Sequence, residues 1–390
     1  MVNTFSIKQT PKLYFGPGTI RSLPSLARTF GTNLLFVTGK KSFTTTTIWQ
    51  ETSSTLQKDG FSTELAHIEN EPSPEDINSF VSRYTEKTID VVIGIGGGSV
   101  IDAGKAISAM LEEQQPVELF LEGVGTQSPR GHKIPYIAIP TTSGTGSEAT
   151  SNAVITRTGP NGFKKSLRHD NYVPDIAVVD PELTLSCPPA ITTACGMDCY
   201  TQLVEAYLST NGNPYTDALA LDGIQRVSTA LPAVIANPED IEARSAMSYG
   251  TYLSGIVLAN AGLGTIHGFA STIGGYCAIP HGVVCGTLMA ETNKATLQKL
   301  RYSHHNEIAL DKYTRLGRAV NRQEGLTDEE YQDAFIQNLA EFTDQCGIDR
   351  LGNYGLDKGN LETIAARTGN KYNPVQFSKD ELCTILKNRL

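Results

Sequence analysis

One carboxylate and two imidazoles stand in apolar, glycine-rich surroundings in the second half of the chain. Asp198 lies in Gly196-Met197-Asp198-Cys199-Tyr200-Thr201-Gln202-Leu203, His267 in Gly264-Thr265-Ile266-His267-Gly268, and His281 in Ile279-Pro280-His281-Gly282. Asp198 and Gln202 are four apart, a spacing that puts both on one face of a helix. A lone histidine in such a segment is more often a core residue than a ligand, and the chain has only seven histidines. Two of them beside a buried carboxylate suit Zn²⁺ or Fe²⁺ with open positions for a substrate. Glu205, further along the same helix, reads as solvated or salt-bridged.

A second chemistry is written in Val91-Val92-Ile93-Gly94-Ile95-Gly96-Gly97-Gly98-Ser99-Val100-Ile101-Asp102. An apolar, β-branched run stops at three glycines and a serine, and a helical pattern follows. Without Cβ atoms the backbone amides can close on an anion, and the helix N-terminus adds its dipole. The guest this predicts is a diphosphate, with Gly97, Gly98 and Ser99 against it. The pattern departs from the ordinary dinucleotide fingerprint, because Ser99 falls where the third glycine would stand. Pro140-Thr141-Thr142-Ser143-Gly144-Thr145-Gly146-Ser147-Glu148 also follows a strand, and its small hydroxyls suit a ribose or phosphate at close approach.

The elements that must position these groups divide the chain in two. Up to about residue 184, strands (Asn33–Thr38, Ser62–His67, Val91–Ile95, Ile134–Ile139) alternate with helices over 45–59, 74–84 and 99–111. Such alternation predicts an α/β domain with a parallel sheet covered on both faces, over 1–184, with ligands beyond the carboxyl ends of the strands. From 185 to 390 helical patterns take over, at 190–209, 213–229, 239–257, 261–273, 282–299, 328–345 and 379–389. This half is expected to be an all-helical metal and substrate domain, with loops at Tyr302–Glu307 and Asn353–Asn373.

Composition bounds the function. At 39% hydrophobic and 19% charged residues the chain reads as soluble and globular, and 390 residues favour two domains over one. A net charge of −9 argues against nucleic acid or an anionic membrane surface as partner. No apolar run approaches a membrane span, and no signal-peptide core precedes Thr10. Seven cysteines without a CxxC pair fit a reducing cytoplasm. The expected partners are a small-molecule substrate and further copies of the chain, as a homodimer or higher homo-oligomer.

Taken together, these segments resemble the iron-containing (group III) alcohol dehydrogenase family nearly end to end. The likeness includes Phe15-Gly16-Pro17-Gly18, the Gly96–Ser99 turn with Asp102, the Pro140–Glu148 segment, Asp180-Pro181, Gly196-Met197-Asp198, Gly262–His267, Pro280-His281-Gly282 and Asn373-Pro374. It implies a dehydroquinate-synthase-like two-domain fold and hydride transfer between a nicotinamide cofactor and a metal-bound substrate. By position it implies that Asp102, Thr141, Thr142, Thr145 and Ser147 line the cofactor site and that Lys164 reaches toward the ribose. Asp198, His267 and His281 match three of four family metal ligands and would carry the catalysis.

Two departures from the family matter. Gln202 stands where the family usually has histidine, and Ser271 where many relatives have a second one. A neutral amide oxygen is a poorer ligand than imidazole, so the metal is expected to be held weakly, with Gln202 as a marginal fourth ligand. Gly39 stands where many NAD-preferring relatives carry an acidic residue, and Lys40, Lys41 and Ser42 follow it. The sequence therefore predicts NADP(H) or NAD(H) as cofactor, with a 2′-phosphate tolerated.

The expected function is metal-assisted, NAD(P)-dependent interconversion of a small primary alcohol and its aldehyde. Two alternatives share the motifs. A dehydroquinate-synthase-like cyclase would use NAD only transiently. A non-catalytic relative with a decayed metal site would bind dinucleotide and turn over nothing. Stoichiometric NAD(P)H consumption with an aldehyde separates all three.

Overall fold

The computed structural model describes residues 4–41, 43–158, 162–303, 306–321 and 323–390; Ser42 lies outside them. Lys8–Cys187 form one compact unit, and Pro188–Leu390 form another together with the N-terminal residues up to Ile7.

The first unit contains strands β1 (Lys12–Phe15), β2 (Asn33–Gly39), β3 (Ser62–Ile68), β4 (Val91–Gly96), β5 (Tyr136–Pro140), β6 (Asn152–Arg157), β7 (Phe163–Arg168) and β8 (Ile176–Val179). Its helices are α1 (Leu23–Arg28), α2 (Thr47–Lys58), α3 (Pro74–Tyr84) and α4 (Gly98–Glu113). Six strands form a sheet in the order β1-β8-β5-β4-β2-β3, every neighbouring pair parallel. β6 and β7 make a separate antiparallel pair.

β4 is buried along its whole length between β2 and β5, which is why its sequence is apolar without alternation. Val92 packs into a core with Ile77, Val81, Ile101 and Ile107, while Ile93 packs into another with Leu26, Phe36, Leu56 and Val178. The sheet is thus covered on both faces. From β2 the chain moves outward to β3 and then returns to β4 on the other side of β2. That reversal leaves a crevice at the carboxyl ends of β2 and β4, where ligands of such sheets bind. Gly39 and the Gly97–Ser99 turn sit at those two ends.

The second unit is helical: α5 (Pro189–Leu208), α6 (Pro214–Ala236), α7 (Ile241–Ala261), α8 (Thr265–Gly274), α9 (His281–Ser303), α10 (Glu307–Val320), α11 (Asp328–Gln345), α12 (Leu361–Arg367) and α13 (Lys379–Lys387). α5 is buried continuously from Gly196 to Leu208 and packs against α6, α7 and α9. Gly282 makes the last contact possible, since a Cβ there would lie 1.8 Å from the carbonyl oxygen of Ala194. Backbone therefore meets backbone where α9 starts, and the first turn of α9 is drawn onto α5.

Two readings of this half require correction. Asn353–Asn373 is not all loop, because Leu361, Ile364 and Ala365 bury one face of α12. Tyr302–Glu307 includes the end of α9 and the start of α10, with residues 304–305 outside the described ones. Among the described residues, no single helix is long and apolar enough to cross a membrane.

Candidate active site

In the first unit, α4 opens on Gly97, whose φ of −72° and ψ of 180° are ordinary extended backbone, and no side chain caps the helix. The first amides of a helix have no intrahelical acceptor, so α4 presents free N–H groups at this end. The segment after β5 lies against them. A Cβ on Gly97 would meet nothing nearer than the Thr142 side chain, at 3.5 Å. A Cβ on Gly98 would come within 2.6 Å of Thr145. Gly97 therefore keeps a Cβ out of the place beside Thr142 in front of the helix terminus, which fits close approach of a diphosphate to the α4 amides. Gly98 is small because Thr145 occupies its space. Thr141 donates its amide to Gly96 O at 2.9 Å, which ties the two turns together.

Asp102 and Ser147, expected to line the cofactor, are joined to each other and to a buried network. The Ser147 hydroxyl donates to Asp102 Oδ1, and Val154 N donates to Asp102 Oδ2 at 3.0 Å. Lys105, 1% exposed, donates to Ser147 O at 2.8 Å, Asn152 O at 2.7 Å and Thr150 Oγ1 at 3.1 Å. Burial lowers the Lys105 ammonium to a pKa of about 8 and raises Glu148 to about 7. This network braces α4 against β6 and the turn after β5. Lys164, on β7, is ion-paired with Glu71. Beyond Gly39, Lys40 pairs with Glu69 at 2.6 Å, and Lys41 is exposed.

In the second unit, Asp198 from α5, His267 from α8 and His281 from α9 converge. Asp198 Oδ1 lies 3.3 Å from His267 Nε2 and 3.6 Å from His281 Nε2. The carboxylate is 3% exposed. Burial works against its charge, but the imidazoles of His281 and His267 outweigh that and hold it below the usual carboxylate range. Burial also opposes protonation of His267, yet Cys285, Asp198 and Glu205 lift it well above the ordinary histidine value. Asp198 Oδ1 faces both imidazole Nε2 atoms, so its charge favours a cation among them. Ligation replaces a proton on the coordinating nitrogen, because metal donors must be deprotonated. The donor set fits a divalent transition ion.

Two residues of this site escaped sequence reasoning. Glu205 is buried and ion-paired with His267 rather than solvated. It accepts the backbone N–H of Ile266 at 2.7 Å and His267 Nδ1–H at 2.7 Å, so it both caps α8 and orients the imidazole. Its place seven residues after Asp198, on the same α5 face, was the available signal. Cys285, on α9, lies with Sγ 3.8 Å from His267 Nε2. Donor atoms of Asp198, His267, His281 and Cys285 all lie within 4.8 Å of one another. Cys285 is four residues beyond His281, the spacing used to pair Asp198 with Gln202. Burial pushes its thiol up to about 12. Gln202 donates its amide N–H to Asp198 Oδ2 at 3.1 Å and accepts from Ser254 Oγ at 2.9 Å. Ser271 lies on an exposed position of α8.

Known proteins share this organisation. The family model for iron-containing alcohol dehydrogenase matches residues 10–181, and that for the C-terminal part of the same family matches 192–390. The long-chain-alcohol dehydrogenase 1 of Geobacillus thermodenitrificans is 31% identical over 91% of this chain and 87% of its own length. The NAD-dependent methanol dehydrogenase of Bacillus methanolicus is 28% identical over 97% of this chain and 98% of its own. The crystal structure of a 1,3-propanediol oxidoreductase superimposes with a TM-score of 0.90 at 25% identity, covering 100% of both chains. An alcohol dehydrogenase from Oenococcus oeni gives 0.88 at 26% identity, covering 99% of this chain and 100% of its own. Matches that run through both units carry the assignment: this chain belongs to the iron-containing alcohol dehydrogenase family and is an NAD(P)-dependent alcohol dehydrogenase that works with a divalent metal.

Proposed function

We propose that the enzyme interconverts a small primary alcohol and its aldehyde, with Asp198, His267 and His281 holding the metal and the Gly97–Ser99 turn holding the cofactor diphosphate. The observation that carries this reading is the meeting of one buried carboxylate and two imidazoles from three helices. When bound, the cation supplies Lewis-acid polarisation of the substrate oxygen and the nicotinamide supplies or takes the hydride. Asp198 brings the negative charge that compensates the cation. Glu205 fixes the tautomer of His267 through Nδ1–H, which leaves Nε2 as the coordinating atom. Gly97 keeps the α4 amides accessible to the diphosphate, while Thr142 and Thr145 wall the turn.

The relatives' names carry both nicotinamide cofactors: one is an NAD-dependent methanol dehydrogenase, another an NADPH-dependent butanol dehydrogenase. With Gly39 at the end of β2, no carboxylate from that position repels a 2′-phosphate. On this reading NADP(H) is used at least as well as NAD(H). The enzyme works in the cytoplasm as a homodimer or higher homo-oligomer and engages neither nucleic acid nor membrane.

A panel of short aldehydes assayed with NADH and NADPH, beside metal content per chain, tests the reading. Metal-dependent oxidation of either cofactor is expected. Full turnover by chelator-treated, metal-free protein would refute it.

A further inference from the structure

The metal reading leaves one corner of the site open. Gln202 turns its amide N–H, not its carbonyl oxygen, toward Asp198, and the oxygen takes the Ser254 hydroxyl. Sulfur is available instead. Cys285 stands one helical turn beyond His281 on α9, so both point to the same side. It is fully buried, and its Sγ approaches His267 Nε2 to 3.8 Å.

The spacing of the donors can be set against what a tetrahedral ion requires. Zn–N of about 2.0–2.1 Å, Zn–O of about 2.0–2.2 Å and Zn–S of about 2.3 Å at tetrahedral angles place O and N roughly 3.4 Å apart and S and N roughly 3.6 Å apart. The structure has Asp198 Oδ1 at 3.3 Å and 3.6 Å from the two imidazole nitrogens, and Cys285 Sγ at 3.8 Å from one of them. These three separations match those of ligands on one ion, and all four donor atoms lie within 4.8 Å of one another.

We infer that Cys285 Sγ is the fourth protein ligand of the metal, taking over the place that residue 202 has given up. The inference rests on the metal reading above. As the metal–sulfur bond forms, the thiol proton leaves to solvent and the ion binds a thiolate. The donor set would then be one oxygen, two nitrogens and one sulfur. A thiolate favours softer ions, so the site selects Zn²⁺ or Co²⁺ over Fe²⁺. Gln202 becomes a positioning residue that holds Asp198 through an N–H bond.

Metal-free protein reconstituted with Co²⁺ under oxygen-free conditions tests this. The expected result is one cobalt per chain with a near-ultraviolet thiolate-to-cobalt charge-transfer band. Cys285→Ser should lose the band and bind cobalt about tenfold or more weakly, while Cys199→Ser keeps it. Gln202→His in the Cys285→Ser background should restore affinity without the band. If Cys285→Ser does not fold, the cadmium NMR shift of the wild-type protein reads sulfur ligation directly. One cobalt per chain with no thiolate band, or a band that survives Cys285→Ser, overturns the inference and leaves the metal reading standing. Cobalt content unchanged by His267→Ala overturns the metal reading itself.

Discussion

Glu205 accepts the Nδ1–H of His267 at 2.7 Å and the Ile266 amide at 2.7 Å, so one buried carboxylate both ends a helix and aims an imidazole. Glu205→Gln should separate these tasks. The amide oxygen can still accept one N–H, but the charge that favours the ring orientation is gone. Loss of such an outer partner typically lowers metal affinity about 10–100-fold. A stability loss on the order of 1–3 kcal/mol should accompany it, since a buried hydrogen-bonded group is disturbed. Competition with a chelator, followed by metal analysis, reads the first effect and thermal melting of metal-free protein reads the second. Metal retention equal to wild type would show that Glu205 serves only α8.

The two glycines at the start of α4 separate ligand space from packing. A methyl on Gly97 is accommodated against Thr142 at ordinary contact distance before the helix terminus, whereas a side chain on Gly98 collides with Thr145. Gly97→Ala is therefore expected to keep its melting temperature and to weaken dinucleotide binding by about tenfold, roughly 1.4 kcal/mol. Gly98→Val should lose stability as well, by about 1–3 kcal/mol of overpacking. Isothermal titration with NADH and NADPH, beside thermal melts, checks both. Unchanged affinity in a folded Gly97→Ala protein would move the diphosphate away from α4.

Much of this was written locally in the sequence. β2, β4 and β5 announce themselves because strands buried on both faces need unbroken apolar runs, whereas β3, at the sheet edge, is polar and largely exposed. The four-residue β1 and β8 carry too little pattern to stand out. α10 buries only Ala309, Tyr313, Thr314, Leu316 and Gly317 among charged neighbours, so its apolar stripe is narrow. Asp198, His267 and His281 could be picked out as candidates because a carboxylate and imidazoles are unusual in apolar segments. Cys285 could not, because a cysteine in a helix reads as a small hydrophobe. Glu205 is salt-bridged, one of its two expected states, and its burial has a tertiary cause. The seven-residue spacing from Asp198 puts it on the same α5 face, but its partner amide on α8 arrives from 61 residues away.

The neighbourhood of Gly39 holds a carboxylate that does not come from β2. Lys40 is tied to Glu69, the residue just after β3, at 2.6 Å, and β3 lies beside β2. A 2′-phosphate that recruits Lys40 must compete with this pair. Exposed ion pairs are worth about 0–1 kcal/mol, so the competition is mild. Glu69→Gln should raise kcat/KM for NADPH relative to NADH by about 2–5-fold, within that energy range. Gly39→Asp should move the ratio the other way by restoring a carboxylate at the crevice. Steady-state kinetics with both cofactors decide it. A wild-type enzyme that strongly prefers NADH, with a ratio insensitive to Glu69→Gln, would remove Lys40 from cofactor selection.

Glu148 should leave a signature in the pH dependence of stability. Burial raises its pKa from the model-compound 4.5 to about 7, against the partial compensation of its own backbone hydrogen bond and Lys105. The unfolded chain releases this proton near the ordinary value, while the folded protein keeps it until about 7. Between these pH values the folded state binds more protons, so stability falls as pH rises through the window and levels off above it. The shift corresponds to a loss on the order of 3 kcal/mol. Glu148→Gln keeps the shape and removes the titration. Melts of metal-free protein between about pH 4.5 and pH 7.5 should show a decline in the wild type that is smaller in the variant by this amount. Lys105, lowered to about 8 by burial, begins to titrate only at the top of that range and contributes little to the difference. Equal slopes in the two proteins would mean that Glu148 ionises in the folded state as it does in water, and that the polar network behind α4 is open to solvent.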